Sequence, residues 1–283
     1  MLAVAPAWGQ TATRMLVQLP PTNVPAVVSV WYRGTPAGTP RDQDLADIRA
    51  RGFECVTWPS RETAGADALY RLAAAHNLRV TLRIAPMALT PASARTPEEA
   101  VDIKVASIKP ELYSAFVWRA VAHGARVVSF DAGDATGSGF ESNGNPRPWV
   151  AAAANVAGQL AAQARLLEEW RPMDRLATVD GASADDLDLA LLNDNRSWTL
   201  VVTNTSASRV RAVAHLPAGL PSALWVNLLD GSLLSIINEP AGPRWSLELD
   251  GGTARVYVVN KTRIAGFGIP NPPIPQSPIQ VVH

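Results

Sequence analysis

One passage of this 283-residue chain, from Glu111 to Asp134, constrains the fold more than any other. Its first half spaces apolar residues three and four apart, which predicts an amphipathic helix. Gly124 then provides a helix stop, and the apolar run Val127–Phe130 predicts a short buried strand. Two carboxylates, Asp131 and Asp134, follow that strand. Because α/β enzymes carry their sites at the carboxyl ends of parallel strands, the passage predicts one unit of such a fold.

The chain before this passage alternates between strand-like and helix-like segments. The predicted strands are Pro25–Arg33, Phe53–Trp58, Leu78–Ile84 and Ala100–Ala106, and the predicted helices are Asp42–Arg51 and Ala66–His76. Such alternation predicts right-handed βαβ units and a parallel sheet. An Ala-rich helix is predicted from Trp149 to Trp170, after a loop from Thr136 to Pro148. Five strands are fewer than the eight of a full barrel. The predicted fold class is therefore α/β, with an abbreviated (β/α) barrel-like domain of about five parallel strands.

The pattern changes after Pro172 to short strands separated by Asp, Asn and Gly turns, which predicts an antiparallel β-sandwich. The predicted strands are Leu187–Asn193, Trp198–Asn204, Arg209–Leu216, Ala223–Asn227, Trp245–Leu249 and Ala254–Asn260. We therefore expect a signal-like or extended N-terminus over 1–24, the barrel-like domain over 25–172, the sandwich over 173–264 and a Pro-rich tail over 265–283.

Composition excludes several classes of partner and cofactor. Lys plus Arg equals Asp plus Glu, 25 each, which argues against a nucleic-acid or acidic-membrane partner. Cys55 is the only cysteine and is expected in the core, and no His/Asp/Glu spacing suggests a metal site, so no cofactor is predicted. No apolar run is long enough to span a membrane. The first ten residues resemble the end of a secretory signal, which predicts a secreted or periplasmic protein; the alternative is an extended N-terminus.

Acidic residues at predicted strand ends are candidates for catalysis. Glycoside cleavage needs two carboxylates that flank the scissile bond. The candidate catalytic residues are Glu62, Asp102 and Asp131, whereas Asp134 fits a turn or cap. The alternative for each acid is structural, because Asp at a loop start often accepts hydrogen bonds from its own backbone.

Aromatic and arginine side chains cluster by register where the first three strands end. The candidate substrate-binding residues are Trp31, Tyr32, Arg33, Trp58, Arg61 and Arg83. Aromatic faces stack on sugars, and guanidinium donors hold hydroxyl or carboxylate groups, so this set predicts a carbohydrate partner. The alternative is that Trp31 and Trp58 only close the core. His76 and His123 lie near helix ends, where they are expected to cap the helices.

Two parts of the chain together resemble the glycoside hydrolase clan that includes the family 42 β-galactosidases. The passage from Trp118 to Phe130, with Ala-His-Gly-Ala at 122–125, resembles the last helix and strand of those barrels. The segments 200–204, 216–219 and 228–231 resemble the small β-domain that follows them. The resemblance implies a barrel-derived domain and a polysaccharide substrate or ligand.

The chain departs from that family where the family carries its acids. The family's acid/base lies in an Asn-Glu pair, and no such pair occurs before residue 170. The strand that matches the family's nucleophile strand has Asp102 as its only acid. The resemblance thus implies a glycoside-hydrolase-like protein that acts on or binds a polysaccharide. The alternative is a non-catalytic carbohydrate-binding or structural protein that assembles into homo-oligomers or filaments through open sheet edges.

Overall fold

The computed structural model describes residues 26–35, 38–59, 63–83, 100–132, 141–142, 145–172, 178–180, 186–194, 196–217, 220–221, 223–236 and 242–261. The first part of the chain forms strands β1 (Val27–Trp31), β2 (Cys55–Pro59), β3 (Arg79–Arg83), β4 (Ala100–Lys104) and β5 (Val127–Asp131) and helices α1 (Asp42–Ala50), α2 (Thr63–Ala75) and α3 (Tyr113–Ala122). A short hairpin, β6 (Glu141–Ser142) and β7 (Asn145–Pro146), precedes helices α4 (Pro148–Ala162) and α5 (Ala164–Glu169).

The rest of the chain is made of short strands. They are β8 (Arg171–Pro172), β9 (Thr178–Asp180), β10 (Leu187–Asn193), β11 (Ser197–Asn204), β12 (Val210–His215), β13 (Ala223–Asn227), β14 (Leu233–Ile236), β15 (Arg244–Leu249) and β16 (Ala254–Asn260).

Strands β1 to β5 form one parallel sheet, as predicted, in the order β3-β2-β1-β5-β4. The steps from β1 to β2, from β2 to β3 and from β4 to β5 all run in the same direction across this sheet. Right-handed connections that run in one direction place their helices on one face, as in a barrel wall, whereas a doubly wound sheet has helices on both. Among the described strands, β3 and β4 lie at opposite edges of the sheet and do not pair with each other.

One face of the parallel sheet carries the helices. Alternate strand residues, such as Val28, Val30 and Phe130, share a core with Leu45 of α1 and Leu69 of α2. Continuous apolar runs form these strands because both of their faces are buried. The other face, which includes Ser29 and Trp31, is therefore separated from the helical layer.

Helix α3 is buried around its whole circumference, although its spacing predicted a single apolar face. On one side, the ring of Tyr113 lies 4.7 Å from that of Phe130 in β5. On the other side, α3 packs on strands β10, β11 and β16, which contribute Leu192 and Val201 to the same core. The helix therefore lies between the parallel sheet and an antiparallel sheet, and water reaches neither side.

The second part of the chain forms two separate antiparallel sheets. One has six strands in the order β14-β13-β16-β11-β10-β8, and the other has three in the order β15-β12-β9. Leu189 and Leu200 of the larger sheet share an apolar cluster with Ala214 and Leu247 of the smaller one. The predicted sandwich remains a prediction.

Several boundaries differ from the sequence prediction. The single Ala-rich helix divides at Gln163 into α4 and α5. The loop predicted over 136–148 contains the β6–β7 hairpin. Strand β14 was not predicted, because Leu233 breaks the alternation by presenting an apolar side chain outward beside the inward Leu234. Each difference depends on contacts between distant segments, which periodicity does not report.

Charged groups also join α3 to the antiparallel sheet. Buried Arg119 donates from Nη1 to Oγ1 of Thr205 at 2.9 Å, and its Nε lies 4.0 Å from Oδ2 of Asp188. The Nε2 of His123, at the C-terminal end of α3, is 2.7 Å from the same Asp188 oxygen. On the protein surface, His215 and Asp180 form a pair of equal length.

We expect Asp188→Ala to lower the free energy of unfolding by about 3 kcal/mol, because it removes a largely buried carboxylate beside the fully buried guanidinium of Arg119. Asp180→Ala is the matched control, and its loss should stay below about 1 kcal/mol, because exposed pairs are weak. Chemical denaturation measures both. Equal losses in the two variants would contradict the structural role assigned to Asp188.

The turn between β15 and β16 is another contact between the two parts. Gly252 has φ of +71°, and a Cβ on it would lie 2.2 Å from the carbonyl oxygen of Glu111. Gly231 has a similar φ of +75°, but a Cβ there would meet nothing within 4 Å. Substituting alanine at Gly231 and at Gly252 therefore distinguishes the cost of backbone strain, which both share, from the cost of a steric clash, which only Gly252 has.

We expect Gly231→Ala to cost about 1 kcal/mol of unfolding free energy, from left-handed backbone strain alone. Gly252→Ala should cost at least about 2 kcal/mol more, because the turn must also move away from Glu111. Thermal and urea unfolding of the two variants test this difference. If the two costs were the same, the close approach at Glu111 would be wrong.

Candidate functional site

The helix-free face of the parallel sheet has a layered chemistry that begins with an apolar base. Val27, Cys55 and Val127 form a small buried cluster near the amino ends of their strands. Burial raises the pKa of the Cys55 thiol, so it stays protonated at neutral pH. The expectation that Cys55 belongs to the core and not to a reactive site agrees with this position.

A row of buried hydroxyl groups lies above that base. The Oγ1 of Thr57 is 2.8 Å from Oγ of Ser29 and 2.7 Å from Oγ of Ser129, so one hydroxyl bridges three strands. All three residues are fully buried. Hydroxyl groups satisfy one another here because each can both donate and accept a hydrogen bond.

Charged and aromatic groups lie near the carboxyl ends of β1 and β5, and Asp102 reaches them from the middle of β4. The indole Nε1 of Trp31 donates to Oδ1 of Asp102 at 2.7 Å. The Nη2 of Arg33 lies 2.9 Å from Oδ1 of Asp131, and its guanidinium carbon is 5.5 Å from the centre of the Trp31 ring. We call Trp31, Arg33, Asp102 and Asp131 the strand-end cluster.

The two acids of the strand-end cluster occupy different depths. In the register of β4 and β5, Asp102 is opposite Ser129 and Asp131 is opposite Lys104. Asp131 is therefore one side-chain step nearer the carboxyl edge. Asp102 is fully buried, whereas the side chains of Asp131 and Arg33 are 8% and 24% exposed. Arg33 and Asp131 are therefore less deeply buried than Asp102.

The structure brings together four of the nine predicted site residues and places two others elsewhere. Tyr32 and Trp58 lie on the helix-facing side of the sheet, fully buried, with ring centroids 5.5 Å apart. The Tyr32 hydroxyl donates to Asp44 and accepts from the Arg41 amide, each at 2.8 Å. Burial raises the pKa of Tyr32 well above its usual range, so it is no acid or base at neutral pH. These two aromatic residues therefore do not share a surface with Asp102 and Asp131.

The remaining predicted residues are only partly covered by the structure. Glu62, Arg61 and Asp134 lie outside the described residues. Arg83 is the last residue of β3, and its side chain also lies outside the description. The predicted roles of these residues stay predictions.

Sequence reasoning missed two features of the described structure. The hydroxyl row was not predicted, although Ser29 interrupts an otherwise apolar strand and was the available signal. The partners of the histidines were also missed: His76 pairs with Asp42 at 2.8 Å and His123 with Asp188 at 2.7 Å. Both histidines do lie at or just after helix ends, as expected.

A small cavity lies at the opposite end of the strands from the cluster. It measures about 30 Å³ and is lined mainly by apolar groups of β1 and α4, including Val27 and Leu160. A volume of this size holds one or two water molecules and no sugar ring. It is therefore no candidate for a carbohydrate site.

Metal and membrane sites find no support in the described part of the chain. No three or more His, Cys, Asp or Glu side chains within it are grouped so that they could hold a metal ion. None of the helices that the structure describes is long and apolar enough to cross a membrane.

Comparison with known proteins finds weak structural similarity and no sequence match. No protein-family model matches the chain, and no curated protein matches it. A maltogenic α-amylase from Thermotoga neapolitana is 7% identical over 76% of this chain and 53% of its own length, with a TM-score of 0.41. An α-amylase from Geobacillus thermoleovorans, solved with acarbose, is 9% identical over 84% and 98%, with a TM-score of 0.41.

A GH30 endoxylanase from Clostridium papyrosolvens is 11% identical over 77% of this chain and 70% of its own length, with a TM-score of 0.32. These solved neighbours are glycoside hydrolases, whereas the closer resemblance to family 42 stays a prediction. The chain spans about half the length of the Thermotoga enzyme. At such identities and TM-scores, the likeness assigns no activity to this chain.

We expect Trp31→Phe to lower the free energy of unfolding by about 1–3 kcal/mol more than Trp225→Phe, because only Trp31 donates to a buried carboxylate. Trp225 is equally well buried, and its indole N–H has no acceptor among the described residues. Denaturant titration of both variants gives the difference. Equal costs would mean that the bond from Trp31 to Asp102 does not stabilise the cluster.

Proposed function

We propose that this chain is a glycoside-hydrolase-like protein that binds a polysaccharide at the strand-end cluster without cleaving it. The observation that carries the proposal is the ion pair between the partly exposed Arg33 and the nearly buried Asp131, which lies at the carboxyl edge of a parallel sheet whose connections run in one direction. A guanidinium donates to sugar hydroxyls, and a carboxylate accepts from them. The guanidinium of Arg33 also makes a cation–π contact with the ring of Trp31.

The depth of Asp102 favours binding over cleavage. A general acid or nucleophile must come within hydrogen-bond reach of the glycosidic bond. Asp102 is fully buried and already accepts the indole N–H of Trp31, so Asp131, at 8% exposure, is the less deeply buried of the two acids of the cluster. Among the described residues, the strand-end cluster therefore does not provide the two accessible carboxylates that hydrolysis requires, and the candidate Glu62 lies outside those residues. The absence of an Asn-Glu pair before residue 170 points the same way.

The rest of the architecture is consistent with this role. We propose that the two antiparallel sheets form a β-sandwich around their shared apolar cluster. A secreted or periplasmic location, where polysaccharides are encountered, is part of the same proposal.

The test is a binding assay on soluble α-glucan, β-galactan and xylan, with the intact chain and calorimetric or affinity-electrophoresis detection. We expect at least one polysaccharide to bind. Arg33→Ala and Asp131→Asn should each weaken that binding about tenfold or more, since each removes a charged hydrogen-bonding group. Arg211→Ala, which changes an exposed arginine on β12, is the control and should bind normally.

A parallel assay for released reducing ends separates binding from catalysis. We expect no release with any of the three polysaccharides. Release that disappears in Asp131→Asn or Glu62→Gln would show an enzyme instead of a binding protein. If no polysaccharide binds, the proposal is wrong.

A second candidate function is a structural protein that assembles into oligomers. The open edges of the parallel sheet favour it, because β3 and β4 each have a described neighbour on one side only. Polysaccharide binding by a strictly monomeric chain would leave this candidate without support.

A further inference from the structure

The β13–β14 hairpin of the six-stranded sheet exposes a group of apolar side chains. Leu224 and Leu233 are 59% and 61% exposed, and Val226 between them is also exposed. Val226 and Leu233 are directly paired across the two strands, so the three side chains lie on one face. We call Leu224, Val226 and Leu233 the hairpin patch.

The hairpin patch continues a face that is buried elsewhere in the same sheet. In β16, which pairs with β13, Ala254 and Val256 face the core that α3 completes. Val226 is paired with Val258 of β16, which is only partly buried. The apolar face of this sheet thus continues from the part that α3 covers, at β16, onto the uncovered strands β13 and β14. Single exposed apolar residues are ordinary, but a contiguous group that extends a buried face marks a contact surface.

Among the described residues, β14 is also one of the two edge strands of its sheet. Among the described strands it pairs with β13 alone, and it carries the sequence Leu-Leu-Ser-Ile. Native edge strands are usually protected by charged residues, prolines or bulges, since their free backbone groups can pair with another strand. Neither β13 nor β14 contains a charged residue or a proline.

The three-stranded sheet provides an internal comparison. Its outer surface carries Arg209, Arg211, Glu248 and Asp250, with Arg209 bonded to Glu248 at 2.9 Å and to Asp250 at 2.5 Å. Its exposed apolar residue, Val213, is 37% exposed and lies on the same strand as Arg211. The exposed face of the three-stranded sheet therefore carries charged side chains, whereas strands β13 and β14 carry none.

We propose that two copies of this chain pair along β14, antiparallel and related by a two-fold axis, so that one sheet runs through both. A second copy is the partner that these features favour, because antiparallel pairing of an edge with itself satisfies the same backbone groups on both sides. The hairpin patches of the two copies then lie next to each other and exclude water together. Because the formal net charge of the chain is zero, no long-range charge repulsion opposes the pairing of two copies. The pairing is independent of polysaccharide binding.

Sedimentation velocity of the intact chain over a concentration series tests the proposal. We expect a reversible monomer–dimer equilibrium. Leu233→Lys should raise the dimer dissociation constant about 100-fold or more, because it places two like charges beside the two-fold axis. Leu224→Lys should act in the same direction with a smaller effect. Val213→Lys is the matched control and should leave the equilibrium unchanged.

Folding and binding measurements identify the cause of any change. The substituted side chains are exposed, so circular dichroism and melting of the dilute monomers should match those of the native chain. Polysaccharide binding, where present, should persist in Leu233→Lys. A native chain that is monomeric throughout, an oligomer that Leu233→Lys leaves intact, or equal effects of Leu233→Lys and Val213→Lys would each overturn the proposal.

Discussion

Burial of helix α3 on all sides is the constraint on which the two parts of this protein depend. A helix with one apolar face can rest on a single sheet, whereas a helix with none of its faces in water needs a layer on each side. Here the parallel sheet covers one side and strands β10, β11 and β16 cover the other. The β-strand part is therefore a second wall of the same core. Arg119 lies inside that core, next to Thr205 and Asp188, and links the two parts by a hydrogen bond and an ion pair.

The helices of the parallel sheet cover only one of its faces, so the side chains of the other face must satisfy one another. The opposite face changes from aliphatic groups at Val27 and Val127 through hydroxyl groups to the charged strand-end cluster. This gradient concentrates hydrogen-bonding groups toward the carboxyl edge. The arrangement suits recognition of a polar ligand. It holds Asp102 too deep to act on a glycosidic bond, which is why we favour binding over cleavage.

Much of the fold could be predicted from local patterns. Apolar runs such as Val127–Phe130 predicted some of the five parallel strands, and the alternation of Val101 and Ile103 with Asp102 and Lys104 predicted β4. All four members of the strand-end cluster were among the predicted site residues, because they lie at or near predicted strand ends. Tyr32 and Trp58 were assigned to the same surface, but they lie on the other face of the sheet. In a strand, a shift of one residue reverses the face, so Tyr32 and Trp31 have opposite environments.

The sequence by itself determined which segments form strands and helices, and that the strands near the N-terminus are parallel, because these properties depend on residues close together in the chain. Tertiary structure decided which side of α3 meets which sheet, that Trp31 reaches Asp102, and that β14 forms the edge of the larger sheet. Trp31 and Asp102 are 71 positions apart, and Arg119 and Thr205 are 86 apart. No periodicity links such positions, because contacts of this kind arise only when separate elements pack.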